Sequence, residues 1–267
     1  MHEKKYPLVS NARDSRFLAL RSLQTSHGRP RSGLYIIEGI RHLARAVEHD
    51  VPIQSVFLEP SVLSNQFGKK LARRLRKCGV PGISLSHQLY RGLTLAAEPQ
   101  GVGAVLTQLW TPLSNLTVEP RSLFLAVESI ESPGNLGTII RTAEAAGTSG
   151  IFLLTADCDP YDPTALRATM GSVFSQKLVK CSPHECTAWA RLNGVAVVAS
   201  SPAGLMNYKG MRYRFPAMLI IGSERRGLSG RLLEAADFVV RIPMRGNCDS
   251  INAAVAAGVL LFEMTSQ

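Results

Sequence analysis

From Leu34 onward the chain alternates short apolar runs with stretches of helical period. In the first half this pattern predicts strands over 34–38 and 53–58, a short strand near Ile83 and a closing strand over 102–106. Helices are predicted over 40–49 and 67–78, which together make a small α/β sandwich. Ahead of it, Ser10 or Asn11 can cap a helix running through Phe17, Leu18 and Leu20 to Leu23, with Arg13, Arg16 and Arg21 on its polar face. Residues 24–33 (QTSHGRPRSG) are rich in turn formers and base, and read as a mobile loop able to lie along a phosphate backbone. Residues 110–121 hold two prolines and no clear period, as a linker would. A second series follows, with strands over 123–127, 151–154, 195–199, 218–221 and 238–242. Its helices are expected over 137–146, 164–170, 183–192, 228–236 and 250–264. Strands this apolar are buried on both faces, which implies a mostly parallel sheet covered by helices.

The 267 residues can therefore hold two domains of ordinary size, given about 100–200 residues per domain. The division reads as 1–107, a linker over 108–121, and 122–267. Charge sharpens it. Residues 1–115 carry 16 Lys and Arg against 7 Asp and Glu, net +9, whereas residues 116–267 carry 14 against 13. A basic module joined to a near-neutral one is the electrostatic footprint of phosphate gripping in one part and chemistry in the other. The longest apolar stretch, 251–262, is about a dozen residues and contains Asn252, too short for the roughly twenty of a membrane span. The N-terminal MHEKKYPLVSNARDSR lacks the apolar core of a secretory signal, so a cytoplasmic location is expected, with no membrane partner. Five cysteines with no CxxC pair fit a reducing compartment. Cys181, His184 and Cys186 lie close in sequence but have no second pair to complete a tetrahedral set, so no metal is expected.

The second half lacks both GxGxxG after its first strand and GxxxxGK[ST], so neither a standard dinucleotide fold nor a P-loop is supported. Three segments instead carry unusual punctuation, each linking a strand end to a helix start: ESPGNLGTIIRTAEAAG (131–147), IGSERRGLS (221–229) and IPMRGNCDSINAAVAAGVLLFE (242–263). In the first, Asn135 can cap a helix that presents Arg141 six residues on. In the second, Gly222 and Gly227 free the backbone to approach a ligand and display Glu224. In the third, Ser250 or Asp249 can cap an Ala-rich helix with Asn252 at its mouth, and the small residues from Ala253 to Gly258 permit close helix contact. Read singly, Asn135 and Ser250 also serve as plain caps, Arg141 as a surface helix charge and Glu224 as a dipole partner.

Taken in order and spacing, these three segments resemble the motifs of the SpoU (TrmH-like) class of RNA ribose 2′-O-methyltransferases in the SPOUT superfamily. RSGLYIIEGIRHL (31–43) and QGVGA (100–104) further resemble that family's N-terminal RNA-binding domain, itself similar to ribosomal protein L30e. The resemblance implies a C-terminal α/β trefoil-knot methyltransferase domain that dimerises, a smaller N-terminal α/β L30e-like domain, and S-adenosylmethionine as methyl donor. By motif match it places Gly222, Ile242 and Ile251 against the cofactor, with Ile221, Met244, Ser250, Ala199 and Ser200 completing the pocket. Asn135, Arg141, Glu224, Ser250 and Asn252 correspond to catalytic and site-shaping positions, and Arg31, Arg41, Arg225 and Arg226 are the expected RNA contacts. Arg225 stands where the family often has glycine, which puts the loop's geometry in question and adds charge. A guanidinium stays protonated in proteins, so Arg141 is expected to steady a developing alkoxide as a cation rather than act as a base. The implied activity is transfer of a methyl group to a ribose 2′-hydroxyl of ribosomal RNA, with no DNA partner. Transfer RNA is the alternative substrate, and a non-catalytic RNA-binding or ribosome-assembly protein the alternative class.

Overall fold

The computed structural model describes residues 5–155 and 157–267, so Met1–Lys4, part of the stretch read above for a secretory signal, lie outside the described residues. The chain forms two compact units, one made of residues up to Gln108 together with Tyr161–Phe174, the other of Leu109–Pro160 and Ser175–Gln267.

The first unit is built on a five-stranded sheet. Its elements in chain order are β1 (Leu8–Val9), α1 (Ser15–Ser22), α2 (Gly28–Ser32), β2 (Leu34–Glu38), α3 (Ile40–Glu48), β3 (Ile53–Leu58), α4 (Gln66–Lys77), β4 (Gly82–Leu85), α5 (His87–Arg91) and β5 (Val102–Thr107). The sheet order is β1-β4-β3-β5-β2; β5 runs antiparallel to both β2 and β3, and the remaining pairs are parallel. Helix α1 starts later than its sequence suggests, because the Asp14 side chain, rather than Ser10 or Asn11, accepts the Arg16 N–H and caps it. Its buried Phe17 and Leu20 then join Leu23, Ile36, Phe57, Leu85 and Leu89 in one apolar cluster.

The expectation of a mobile phosphate-tracking loop over 24–33 is overturned. Residues 28–32 form α2, and Arg29 is only 1% exposed. Its guanidinium donates to the Leu23 carbonyl at 3.1 Å and pairs with Asp162 at 3.1 Å. A charge so placed is held by partners on two segments rather than offered to solvent.

Asp162 belongs to the inserted segment Tyr161–Phe174, which sequence reading assigned to the second series of elements. Its helix Pro163–Thr169 is started by Asp162, whose other carboxylate oxygen accepts the Thr164 N–H at 2.8 Å. Here Tyr161 packs its ring against Tyr35, with centroids 4.5 Å apart, and the buried His42 bonds the Leu166 carbonyl at 3.1 Å. The segment is apolar where the small sheet needs cover, which is why it packs with the first unit.

With the inserted helix of the first unit counted as α7, the second unit carries β6 (Leu123–Val127), α6 (Pro133–Ala145), β7 (Gly150–Leu153), β8 (Leu178–Lys180), α8 (Pro183–Leu192), β9 (Ala196–Ser200), β10 (Met206–Asn207), β11 (Ala217–Ile221), α9 (Gly230–Glu234), β12 (Phe238–Arg241) and α10 (Ala253–Thr265). Seven strands in the order β10-β12-β9-β11-β6-β7-β8 are parallel throughout. The central strands β6, β7 and β11 are buried along their whole length, as their unbroken apolar sequences require. Residues 109–121, read as a linker, pack with this unit: the Thr111 N–H donates to the Leu178 carbonyl at 2.7 Å, and Leu116 enters the core beside Phe124 and Trp189. Helices α6 and α10 lie together, with Gly258 leaving room for the Thr142 methyl group. Among the described residues no helix is long and apolar enough to cross a membrane.

Breaking a buried ion pair by removing one partner leaves an uncompensated charge and costs about 3–5 kcal/mol. We expect Asp162→Ala to destabilise the first unit by about 3 kcal/mol, and Arg29→Met to cost less because it strands no buried charge. Hydrogen exchange at the β2 and α3 amides measures both, and equal protection in Asp162→Ala and the native chain would refute the assignment.

Candidate functional site

Because the second sheet is parallel throughout, every strand ends at one edge, and β12, β9, β11 and β6 are consecutive neighbours there. Ligands of open α/β sheets bind outside this carboxyl edge. From these four neighbours the chain leaves the edge after Val127, Ser200, Ile221 and Arg241. All three motif segments are among these excursions.

The excursion after β11 is closed tightly. Ser223 and Gly227 exchange backbone hydrogen bonds, at 3.2 and 2.9 Å, and Gly227 takes the left-handed φ of 64° that favours glycine. A Cβ on Gly222 would meet the Gly227 carbonyl carbon at 2.3 Å, so only glycine fits. Glu128 holds both ends of this loop. Its own N–H donates to the Ile221 carbonyl at 2.9 Å, and its side chain, in a residue only 8% exposed, accepts the Ser229 N–H at 2.8 Å. Sequence reasoning missed Glu128, since nothing local marks a carboxylate whose partner lies 101 residues away.

A cavity of about 910 Å³ opens between the excursions after Ser200, Ile221 and Arg241. Of the residues expected against a cofactor, Ser200, Ile221, Gly222, Ile242, Met244, Ser250 and Ile251 line it. Ala199 does not: it is fully buried in the sheet core, and its neighbour Ser200 faces the cavity instead, as strand alternation requires. Ser201, Pro202 and Arg241 line it from outside the motif segments, and Cys248 from a position of the third that was not singled out. Glu224, Arg225 and Arg226 complete one wall. Arg225 reaches Glu131 at 3.7 Å, and the Arg226 N–H donates to the Ser223 hydroxyl at 3.0 Å, so the replacement of the family's glycine leaves the loop closed. The volume lies within the roughly 300–1,000 Å³ of small-molecule sites, and backbone from three excursions bounds it, a donor set suited to a nucleoside-sized ligand.

Three of the expected site residues are joined directly. The Asn252 amide donates to the Asn135 carbonyl oxygen at 3.2 Å, and the Asn135 amide in turn donates to Glu224 in a short hydrogen bond. The chain of bonds links the first, second and third motifs. Two capping assignments change with it. Ser132, not Asn135, caps α6, and Asn252, not Ser250 or Asp249, caps α10 by accepting the Ala254 and Val255 N–H groups at 2.9 and 3.3 Å. Each sequence expectation had placed the cap on a motif residue that the fold uses otherwise. Ser250 is exposed at the cavity. Arg141 stands apart from both the cavity and the bonded trio: it is exposed on α6, six residues beyond Asn135 and so roughly 120° around the helix, with no hydrogen bond or ion pair among the described residues. In the first unit, Arg31 and Arg41 are both exposed.

The chain is similar to known proteins over nearly its whole length. The profile of the SpoU rRNA Methylase family matches residues 122–262, and that of the MRM3-like substrate binding domain matches residues 15–104. The chain is 31% identical to a 23S rRNA uridine 2′-O-methyltransferase of Streptomyces viridochromogenes, over 96% of this chain and 90% of that protein. It is 25% identical to a 23S rRNA guanosine 2′-O-methyltransferase of Bacillus subtilis, over 96% of this chain and 98% of that one. The crystal structure of an AdoMet-bound rRNA methyltransferase from Sinorhizobium meliloti matches with a TM-score of 0.88 at 30% identity, covering 98% of both chains. With a family profile spanning more than half of its length and relatives aligned nearly end to end, the chain belongs to the SpoU rRNA methylase family.

Proposed function

We propose that this chain transfers a methyl group from S-adenosylmethionine to a ribose 2′-hydroxyl of ribosomal RNA. The observation that carries the reading is the cavity at the carboxyl edge of the parallel sheet, bounded by the second and third motif excursions and the one after β9, with the first motif tied to them by the Asn252–Asn135–Glu224 chain. The named relatives matched over nearly their whole length act on 23S rRNA, which favours ribosomal over transfer RNA.

The donor supplies a methyl group already activated by its sulfonium, so the protein has to align, exclude water and stabilise charge. Gly222 and the backbone of Ile221, Ile242, Met244 and Ile251 would hold it, with Ser200 and Ser250 offering hydroxyls. Asn135, Glu224 and Asn252 fix the excursions relative to one another, since hydrogen-bonded networks of this kind are rigid when satisfied. Arg141, exposed and without an intramolecular partner among the described residues, is available to a polyanion; set apart from the cavity, it would meet the reacting ribose through the bound RNA, binding the substrate phosphate and stabilising negative charge developing on the ribose oxygen. Arg225 and Arg226 on the cavity wall, and Arg31 and Arg41 on the first unit, would contact the RNA backbone. We further propose a cytoplasmic homodimer formed through the second unit, supported by the exposed Val255 (54%) and Phe262 (52%), seven residues apart on one face of α10.

Mapping 2′-O-methyl marks in ribosomal RNA from cells with and without this chain tests the reading, and an unchanged map defeats it. Arg141→Ala is expected to lower methyl transfer by about 10²–10³-fold while leaving the dissociation constant for S-adenosylmethionine unchanged; near-normal turnover would remove its assigned role. Gly222→Ala should do the opposite in kind, weakening cofactor binding at least about tenfold, because its Cβ would collide with the backbone of Gly227 and Leu228. Replacing Arg225 and Arg226 together by Gln should reduce the slope of log affinity for RNA against log salt by about one to two, measured by fluorescence anisotropy. An unaltered slope would show that neither touches phosphate.

A further inference from the structure

A second cavity, of about 230 Å³, lies within the first unit. Its floor is apolar and buried, formed by Ile36 and Ile37 of β2, Leu93 after α5, and Leu166 of the inserted helix α7. Its rim is exposed and carries Arg41 and Arg167 against Glu98. The volume falls below the roughly 300–1,000 Å³ of pockets for drug-sized ligands, so it admits a single flat ring system rather than a whole nucleoside cofactor. Of the ionisable groups in the wall, His42 and Tyr90 are buried, whereas Glu38, at the end of β2, is half-buried. Its two carboxylate oxygens each accept one internal bond, from the Thr94 hydroxyl and from the Leu95 N–H at 3.2 Å. A carboxylate has about four acceptor positions, so half of its capacity remains for a ligand that donates. Leu95 is held from its other side by Arg167, which donates to its carbonyl at 2.8 Å.

We propose that this cavity receives an unstacked guanine of the RNA substrate and reads it through Glu38. The proposal rests on the reading of RNA as substrate. Sequence-specific RNA recognition works on bases splayed out of the stack, bound on apolar surface and read at their hydrogen-bonding edges. The Watson–Crick edge of guanine offers a ring N–H beside an exocyclic amino group, two donors that match the free positions of a carboxylate. Uracil sets carbonyl oxygens on either side of one N–H, and these face Glu38 with like polarity. Arg41 and Arg167 are placed at the rim, where the phosphates flanking an inserted base would lie. The profile of a substrate binding domain over residues 15–104 and the +9 charge of residues 1–115 agree with RNA as the occupant.

The full-length protein with labelled Ile, Leu and Met methyl groups provides the test, using guanosine and uridine 5′-monophosphate as probes. Guanosine monophosphate is expected to shift the methyl resonances of Ile36, Ile37, Leu93 and Leu166, and uridine monophosphate to bind about tenfold more weakly, the discrimination of one good bidentate pair. Ala96→Trp, which puts an indole at the cavity wall, should abolish the guanosine response while the methyl resonances of the second unit stay in place. It should also weaken binding of a ribosomal RNA fragment about tenfold. Shifts confined to methyl groups outside the cavity, or equal responses to both nucleotides, overturn the proposal. Scoring ribosomal RNA methylation by the native chain in parallel keeps the two readings separate: methylation without a guanosine response sinks the cavity alone, whereas a guanosine response supports it whatever the methylation assay shows.

Discussion

The parallel direction of all seven strands in the second sheet is the constraint from which the site follows. A parallel strand must be re-entered from the far end, so each connection spends one crossover on the sheet face and releases one loop at the carboxyl edge. With β12, β9, β11 and β6 consecutive, the loops released after Arg241, Ser200, Ile221 and Val127 crowd into the same place. Segments more than a hundred residues apart in sequence become neighbours without needing affinity for one another. What remains is to fix their conformations, and this falls to a few polar contacts: Glu128 across the base of the second excursion, and Asn252 and Asn135 from the third to the first and on to Glu224.

The same sheet gives up a segment. Residues 161–174, between β7 and β8, pack with the first unit, where Asp162 neutralises the buried Arg29 and Leu166 closes one side of a cavity. A five-stranded sheet with short helices has limited apolar cover of its own, and Tyr161 and Leu166 supply some of it at Tyr35 and His42. The first unit is thus completed by chain that sequence order would give to the second.

How much of this was legible depends on the length and locality of each signal. Strands β2, β3, β5, β6, β9, β11 and β12 were readable because each carries a run of at least three apolar or small residues over a length of four to six. The two- and three-residue strands β1, β8 and β10 were not, since so short a stretch has no period, and each lies at or next to a sheet edge where partners rather than composition define it. The motif residues were legible by their order, and the cavity-lining role of Gly222, Ile242, Met244 and Ile251 agrees with it. Arg29 misled because an arginine in a Gly, Ser and Pro context reads as surface, and its burial is set by a carboxylate 133 positions away. The helix caps misled for a related reason: Ser132 and Asn252 are each as good a cap by type as the residues preferred from sequence, and only backbone geometry chooses between them.

The hydrogen bonding also separates two kinds of residue that the motifs present together. Asn135 and Asn252 have partners within the protein on both their oxygen and nitrogen atoms, and Glu224 accepts from Asn135, so these groups are oriented before any ligand arrives. Groups already paired have little left to gain from a developing charge, and their value lies in holding the cavity wall in one conformation. Arg141 is the converse case, a permanent cation on the same helix as Asn135 with no counter-charge among the described residues. A cation can stabilise a transition state only to the extent that it is not already stabilised in the ground state. Among the described residues, Arg141 is therefore a motif cation whose charge is not already compensated within the protein.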